Sequence, residues 1–294
     1  MQIEPLNISH QVLLESRFRE LNVSLSEYSF ANLYLFRELH RYQVIKCNEE
    51  IFIKGITRDR VPFIMLTSHP AKLSPLLLQC IHSEAQIIFP LPEDWLPSLK
   101  KFLLQASFKD EDSDYLYSTS KLAYFPGRHL SKKRNLVKQL LNAHVVKTEN
   151  LSKHIGDAEQ ILKSWQQEHA GNPIETDYTA CEEALQNMQA LQLQGRIIYI
   201  DQHPAGFTLG ERISKDCFVV HFSKASRSSK GLYQYLYQDI AQSIDENCLW
   251  INLEQDLGLP ALRDSKHSYL PDRLLRKWRV QLQWTELRTG CLGT

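Results

Sequence analysis

Three polar side chains alternate directly after a short apolar segment near residue 250. Asn252, Glu254 and Asp256 follow Trp250 and Ile251, and alternate residues of an extended segment point to one face. Carboxylates grouped in this way can bind a substrate ammonium group or accept a proton from an attacking amine or hydroxyl. The pattern predicts Glu254 and Asp256 as catalytic residues, with Asn252 as a binding residue beside them.

Two cations follow one helical turn apart in the next segment. Arg263 and Lys266 have the spacing of neighbours on one face of a helix. They can neutralise the preceding carboxylates, or they can bind a carboxylate or phosphate group of a donor. An ion-pair network that only stabilises the fold explains the same residues, so both interpretations stay open.

A polar, basic loop precedes a helix-like segment that begins near residue 231. The N–H groups at the start of a helix are unpaired and carry partial positive charge, which suits a phosphate. The residues predicted to bind donor phosphates here are Lys224, Arg227, Lys230 and Gly231. The alternative is that Ser228 or Ser229 only caps the helix and that the cations are solvated.

A second basic segment lies at residues 128–138, where five cations occur without an acidic residue. If this segment is helical, Lys133 falls among the apolar side chains of one face, so its ammonium group needs a partner or a ligand. We predict that Lys133 and Arg134 contact the phosphates of an RNA or an acyl carrier. The alternative is a solvated basic face, with the stem of Lys133 lying along apolar surface.

The composition is that of a globular protein large enough for two domains. The 294 residues are 43% hydrophobic and 23% charged, and the formal net charge is zero, so an anionic partner needs a local basic patch. The six cysteines are scattered, with no C-x-x-C pair and no histidines clustered at metal-ligand spacing, so no metal site is predicted. No secretory signal or bilayer-spanning apolar stretch is visible, which predicts a soluble, cytoplasmic protein.

The second half of the chain has the element order of an acetyltransferase-type (GNAT) domain. Two helix-like segments precede three strands at residues 196–201, 205–211 and 217–223. A helix, a strand, a short helix and a terminal strand follow. A break near residues 142–151 predicts the division of the chain. The predicted parts are an N-terminal domain at 1–145, a C-terminal domain at 146–284 and a tail at 285–294.

Four motifs, in this order, resemble one known family over residues 26–280. They are SEYSFANLYLF from Ser26, KKRN from Lys132, the loop from Lys224 to Gly231, and NLEQDLG from Asn252 with the following LRDSK and SYLP. The family is that of the C-terminal domain of phosphatidylglycerol lysyltransferase. The resemblance implies an α+β (α/β-type) fold of two tandem GNAT-like domains, each a mixed, mostly antiparallel sheet flanked by helices.

Two places differ from the patterns of related proteins. Ser223 stands where the family commonly has Glu before Lys-Ala, which removes one carboxylate from the loop. Lys230 and Leu232 stand where acetyltransferases have small residues around the pyrophosphate of acetyl-CoA. The second difference favours an activated donor other than acetyl-CoA.

Together these features predict a transferase that moves an activated aminoacyl or acyl group to an amine or hydroxyl acceptor. We expect the donor where a splayed pair of strands meets the start of a helix in the C-terminal half. The resemblance implies an aminoacyl-tRNA donor and a lipid hydroxyl acceptor, while an acyl-CoA donor and a peptide or small-amine acceptor are alternatives. No resident cofactor is identified. Two other functions compete, a non-catalytic module that binds RNA or peptide and an acetyl-CoA-dependent N-acetyltransferase.

Overall fold

The structure is a computed structural model that describes residues 1–74, 77, 81, 84–100, 103–168, 176–226 and 229–282. Contacts between residues divide the chain into two compact units. Unit 1 comprises Met1–Asp114, Gln255–Pro260 and Leu274–Thr294, and unit 2 comprises Tyr115–Glu254 and Ala261–Arg273. The predicted phosphate-binding residue Arg227 and the predicted tail at 285–294 lie outside the described residues.

Unit 1 is built on a mixed sheet that has seven strands in the described part of the chain. The strands are β1 (Gln2–Pro5), β2 (Gln43–Cys47), β3 (Glu50–Ile56), β4 (Pro62–Leu66), β5 (Ile87–Leu91), β6 (Leu103–Phe108) and β14 (Trp278–Leu282). The helices are α1 (Gln11–Leu21), α2 (Phe30–Leu35), α3 (Arg37–His40) and α4 (Leu96–Leu99). The strand order is β1-β2-β3-β4-β5-β14-β6, and β4 pairs with β5 in parallel.

Unit 2 repeats this pattern with a second sheet of seven strands among the described residues. The strands are β7 (Asp114–Ser118), β8 (Val146–Asn150), β9 (Gln194–Ile200), β10 (His203–Arg212), β11 (Cys217–Ala225), β12 (Trp250–Asn252) and β13 (Arg273–Leu275). The helices are α5 (Thr119–Tyr124), α6 (Ser131–Ala143), α7 (Ile155–Glu168), α8 (Tyr178–Gln186), α9 (Leu232–Ser243) and α10 (Pro260–His267). The order is β13-β7-β12-β11-β10-β9-β8, and β11 pairs with β12 in parallel.

Each sheet contains a strand that pairs with strands far away in the sequence. β14 lies between β5 and β6 in the sheet of unit 1, and β7 lies beside β12 in the sheet of unit 2. Each compact unit is therefore assembled from segments that lie far apart in the sequence, and local composition does not indicate such pairing. The domain boundary between residues 145 and 146 stays a prediction from the sequence.

Helix α9 of unit 2 buries one apolar face, as its sequence spacing requires. Leu232, Leu236 and Ile240 recur every fourth residue along α9 and are all buried. Leu232 and Leu236 pack in one cluster with Ile198 of β9 and Ala225 of β11. Burial of a leucine side chain contributes roughly 1.5–3 kcal/mol, so this face attaches α9 to the sheet.

Within the described ranges, no helix combines the length and the apolar character needed to cross a membrane.

Gly231 fixes where α9 begins. Its backbone is left-handed, with φ at +93°, and a Cβ built on it would lie 2.4 Å from the carbonyl oxygen of Leu136 in α6. Both facts require glycine, because L-residues disfavour this conformation and the backbone of α6 leaves no room for a side chain. α6 therefore lies directly against the start of α9.

Replacement of Gly231 with Ala should lower the free energy of unfolding by roughly 2–4 kcal/mol. The alanine must adopt a positive φ, and its Cβ must displace the backbone of α6. Gly156→Ala is the matched control, since a Cβ in the first turn of α7 meets nothing within 4 Å. That variant should be unchanged or more stable by up to about 1 kcal/mol. Denaturant unfolding monitored by circular dichroism measures both, and equal losses would contradict the assigned contact.

Candidate functional site

The hydrogen-bonding register between β10 and β11 shifts in the middle of the pair. Leu209 lies opposite Phe222 and Gly210 lies opposite Val220, so His221 is the extra residue of a β-bulge. A Cβ at Gly210 would lie 2.0 Å from the backbone carbonyl oxygen of Val219, so only glycine fits beside the bulge. Bulges redirect a side chain and recur next to active sites.

The parallel strands β11 and β12 separate close to this bulge. Their register runs from Cys217↔Trp250 to Val219↔Asn252, after which β11 continues to Ala225 against β10. The chain after Asn252 remains hydrogen bonded to β7 instead, through Tyr115, whose N–H donates to the carbonyl oxygen of Glu254 at 3.1 Å. This separation is the splayed pair that the sequence predicted, and His221 lies just beyond its last paired residues.

The backbone turns sharply where β12 ends. The buried Oδ1 of Asn252 accepts the N–H of Glu254 at 2.7 Å, and Glu254 has a left-handed backbone with φ at +59°. The Nζ of Lys266 donates to the carbonyl oxygens of Leu253 and, at 2.9 Å, Glu254. Asn252 and Lys266, both predicted as ligand-binding residues, thus hold the backbone that carries Glu254.

His221 lies between two carboxylates. Its Nδ1 is 2.8 Å from Oε1 of Glu254, and its Nε2 is 3.1 Å from Oε1 of Glu211 on β10. The imidazole side chain is 1% exposed, whereas the two carboxylate side chains are 17% and 18% exposed. We refer to Glu211, His221 and Glu254 as the histidine triad. Of these three residues, only Glu254 belongs to a pattern that predicts a functional role from the sequence, whereas His221 and Glu211 do not.

The charges of the histidine triad follow from this geometry. Burial by itself lowers the pKa of His221, but the hydrogen bonds and negative charges of Glu211 and Glu254 outweigh it and raise the pKa to about 9. At neutral pH the imidazole is therefore a cation that donates from both nitrogens. With both carboxylates ionised, the triad carries a net charge of −1. A partly exposed carboxylate in such a group can bind an ammonium group or accept a proton.

The remaining predicted catalytic residue lies in unit 1. Asp256 is buried, and its Oδ1 accepts the N–H of Gly258 at 2.8 Å. The segment after Asn252 is not extended, since Glu254 and Leu257 both have positive φ. Alternate residues there do not follow a single strand face. The structure therefore brings Asn252 and Glu254 together in the turn of unit 2, with Asp256 in a separate turn of unit 1.

Lys224 is engaged inside unit 2. Its side chain is 4% exposed, its Nζ lies 2.6 Å from Oδ1 of Asp177, and it stacks 3.6 Å from the ring centroid of Trp165 on α7. The ion pair and the cation–π contact satisfy a buried ammonium group without a ligand. A donor phosphate would have to replace Asp177 to bind this lysine.

A depression of about 310 Å³ lies beside the start of α9. The residues that line it are Ser131, Lys132, Asn135, Leu136, Gln139 and Lys230. Two of these residues are lysines, so the depression carries local positive charge. Lys230 lines this depression and Gly231 follows it directly in the chain, whereas Lys224 is not among the lining residues.

Lys133 and Arg134 lie on α6, and Arg263 lies on α10. The Nζ of Lys133 donates to Oγ of Ser268 at 2.7 Å and lies 3.9 Å from the ring centroid of Tyr269. The sequence predicts either a partner or a ligand for this ammonium group, and the structure shows protein partners. Burial lowers the pKa of Lys133, and the charge of Lys132 lowers it further. Arg134 donates to the carbonyl oxygens of Phe125 and Gly127, and these hydrogen bonds stabilise the loop that precedes α6. Arg263 is a partly exposed residue of α10.

Known proteins resemble this chain along nearly its whole length. The family model described as "Phosphatidylglycerol lysyltransferase, C-terminal" matches residues 18–281. A conserved protein of unknown function from Bacteroides thetaiotaomicron has a TM-score of 0.85 at 22% identity, with 96% of this chain and 100% of that chain covered. L-PGS from Bacillus licheniformis has a TM-score of 0.61 at 11% identity, with 99% and 98% covered. With the two sheet patterns, these similarities confirm the predicted tandem GNAT-like fold.

A curated relative matches over a shorter region. An uncharacterized protein from Mycoplasmoides gallisepticum is 24% identical over 182 residues, which make up 59% of this chain and 57% of that protein. The match therefore spans little more than half of the length of this relative.

A second buried group of charges lies in unit 1. The fully buried Nζ of Lys277 is 2.7 Å from Oδ1 of Asp114 and 2.8 Å from Oε1 of Glu27, and it donates to Oε1 of Gln255 at 2.6 Å and to Oγ of Ser26 at 3.1 Å. We refer to these five residues as the Lys277 cluster. Their side chains join segments up to 251 residues apart in the sequence. Local periodicity does not predict such partners, so Lys277 is not identified from the sequence.

The Lys277 cluster holds one carboxyl group that is hard to ionise. Burial raises the pKa of Glu27 from 4.5 to about 7, and the charge of Asp114 adds to this effect, although Lys277 opposes it. Glu27 therefore binds its proton more tightly in the folded chain than in the unfolded chain. Because the folded state holds the extra proton, its contribution to stability falls as the pH rises from about 4.5 to about 7.

Replacement of Glu27 with Gln should make the free energy of unfolding decline less steeply over this pH interval, because the titrating group is removed. Urea unfolding at several pH values measures the slope. Glu49→Gln is the matched control, since Glu49 is exposed, and it should keep the slope of the unmodified protein. Identical slopes for the unmodified protein and Glu27→Gln would show that Glu27 ionises normally in the folded chain.

Proposed function

The chain belongs to the family of phosphatidylglycerol lysyltransferase C-terminal domains, and from that membership we propose that it transfers an activated aminoacyl or acyl group to an amine or hydroxyl acceptor. The observation that carries the proposal is the carboxylate of Glu254, held by His221 where β11 and β12 separate. Beyond Val219 the backbone of β11 no longer pairs with β12, so an extended donor can bind along this edge.

The proposed reaction uses Glu254 as the proton acceptor. As the acceptor hydroxyl or amine attacks the donor carbonyl carbon, its proton moves to the Glu254 carboxylate. A bond forms between the acceptor and the acyl carbon, the ester C–O bond of the donor breaks, and the proton passes to the leaving oxygen. Since the ester is already activated, most of the rate gain comes from holding both substrates in line.

We propose aminoacyl-tRNA as the donor and a lipid hydroxyl as the acceptor, because the family is named for lysyl transfer to phosphatidylglycerol. Lys132 and Lys230 would bind tRNA phosphates in the depression beside α9. The catalytic role predicted for Asp256 and the donor-binding role predicted for Arg263 remain proposals beside this one. Lys133, Arg134 and Lys224 bind protein groups, and we propose that these contacts stabilise the fold around the donor site.

Replacement of Glu254 with Gln should lower the transfer rate about 100-fold or more in protein that is still folded at the assay temperature, because the shape of the side chain stays and its basicity is lost. Transfer of a radiolabelled amino acid from charged tRNA to phosphatidylglycerol vesicles measures the rate. Glu246→Gln on an exposed turn is the control and should match the unmodified protein. Full activity in Glu254→Gln would remove this residue from the chemistry.

Replacement of both Lys132 and Lys230 with Gln should weaken tRNA binding and reduce its salt dependence, because each lost phosphate contact lowers the slope of log K against log [salt] by about 1. Filter binding across a salt series measures both quantities. Lys163→Gln on the exposed side of α7 is the control and should leave affinity and slope unchanged. An unaltered slope in the double variant would move the tRNA surface elsewhere.

These two assays, together with a calorimetric titration, separate the competing functions. Salt-dependent tRNA binding without any transfer would favour a non-catalytic RNA-binding module. Heat on calorimetric titration with acetyl-CoA would favour an N-acetyltransferase, whereas its absence at millimolar ligand would exclude that reading.

A further inference from the structure

The β-bulge changes the direction in which the side chain of His221 points, compared with a regular strand. Phe218 and Val220 pack in one core cluster with Ile240 of α9, and Ala225 packs with Leu236 of the same helix. In an uninterrupted strand, residues 218 and 225 would point to opposite faces. The extra residue reverses the alternation, so that both ends of β11 face α9 and His221 occupies the position where the alternation changes.

We propose that His221 is a positioning residue, a fixed imidazolium that orients the carboxylate of Glu254 for proton transfer. This inference rests on the proposed function of Glu254 as proton acceptor. Three features of the geometry carry it: the bulge that aims the ring, the 2.8 Å contact to Glu254, and the 3.1 Å contact to Glu211 on the opposite ring nitrogen.

Glu211 explains why the ring presents a donor to Glu254. A buried imidazole with one carboxylate partner can be neutral, with its single proton on either nitrogen. A second carboxylate at Nε2 keeps a proton on that nitrogen as well and prevents the ring from turning. The Nδ1–H then always points at Oε1 of Glu254. Glu211 comes from β10 and Glu254 follows β12, while Lys266 holds the backbone of Glu254 from α10.

A purely structural ion triad makes a different prediction from a positioning residue. A structural triad would change stability when it is broken, and transfer would fall only in proportion to the loss of folded protein. A positioning residue changes the pH profile of transfer in protein that is fully folded. The two roles are therefore separated by a variant that keeps all three side chains at similar size and alters only the charge.

Glu211→Gln is that variant. It removes the charge at Nε2 and leaves His221 and Glu254 in place, so the pKa of His221 should fall from about 9 by at least about one unit. Two-bond ¹H–¹⁵N spectra of histidine-labelled protein should show both ring nitrogens protonated at pH 7.5 in the unmodified protein. In Glu211→Gln the same ring should titrate within the range from about pH 6 to 8.

The transfer assay should report the same event. In Glu211→Gln, kcat should fall as the pH rises through the new pKa of His221, while the unmodified protein keeps its rate to about pH 9. His221→Asn, whose amide can donate to Glu254 in place of Nδ1–H, should retain at least about tenfold more activity than His221→Ala. His203→Asn at an exposed position is the control and should leave rate and profile unchanged.

The outcomes distinguish this inference from the proposed function. A neutral ring at pH 7.5 in the unmodified protein would overturn the inference whatever the transfer assay shows. A protonated ring with a pH profile unaltered in folded Glu211→Gln would overturn the positioning role and leave a structural triad. If the unmodified protein transfers nothing to any acceptor tested, the proposed function fails and the positioning role fails with it. The spectra then still decide whether the fixed imidazolium exists.

Discussion

Burial of the His221 imidazole is favourable only because two carboxylates face it, and much of unit 2 around the candidate site serves that arrangement. The bulge aims the ring, and Gly210 leaves room for the backbone beside it. The turn after β12 brings Glu254 back toward the ring, and Asn252 and Lys266 hold that turn. The separation of β11 from β12 then leaves the triad at the end of a strand edge where a substrate can lie.

The general fold could be predicted from the sequence because it depends on local patterns. The strands predicted at 196–201, 205–211 and 217–223 correspond to β9, β10 and β11, and the ordered motifs indicated the tandem arrangement. The placement of β7 and β14 could not be predicted in this way. Which sheet edge such a strand joins depends on pairing with residues far away in the sequence, and alternation of side chains carries no information about that partner.

The site was predictable in part for the same reason. The NLEQDLG segment indicated Asn252 and Glu254, and the structure puts both in one turn. An extended reading of that segment placed Asp256 beside them, but positive φ at Glu254 and Leu257 ends the extended geometry. His221 lay inside an apolar strand, where a histidine is usually a core residue. Only the register shift against β10, a property of two strands together, shows that it meets Glu211 and Glu254.

The central claim is that an acyl donor binds where β11 and β12 separate, with its reacting carbon within reach of Glu254. A crystal structure with a stable amide analogue of the 3′ end of an aminoacyl-tRNA tests this most directly. The account predicts the aminoacyl carbonyl along β11 beyond Val219, with room for an acceptor atom at roughly 3–3.5 Å from both the carbonyl carbon and the Glu254 carboxylate. An analogue bound away from this strand edge, with the histidine triad unchanged and out of reach, would contradict it.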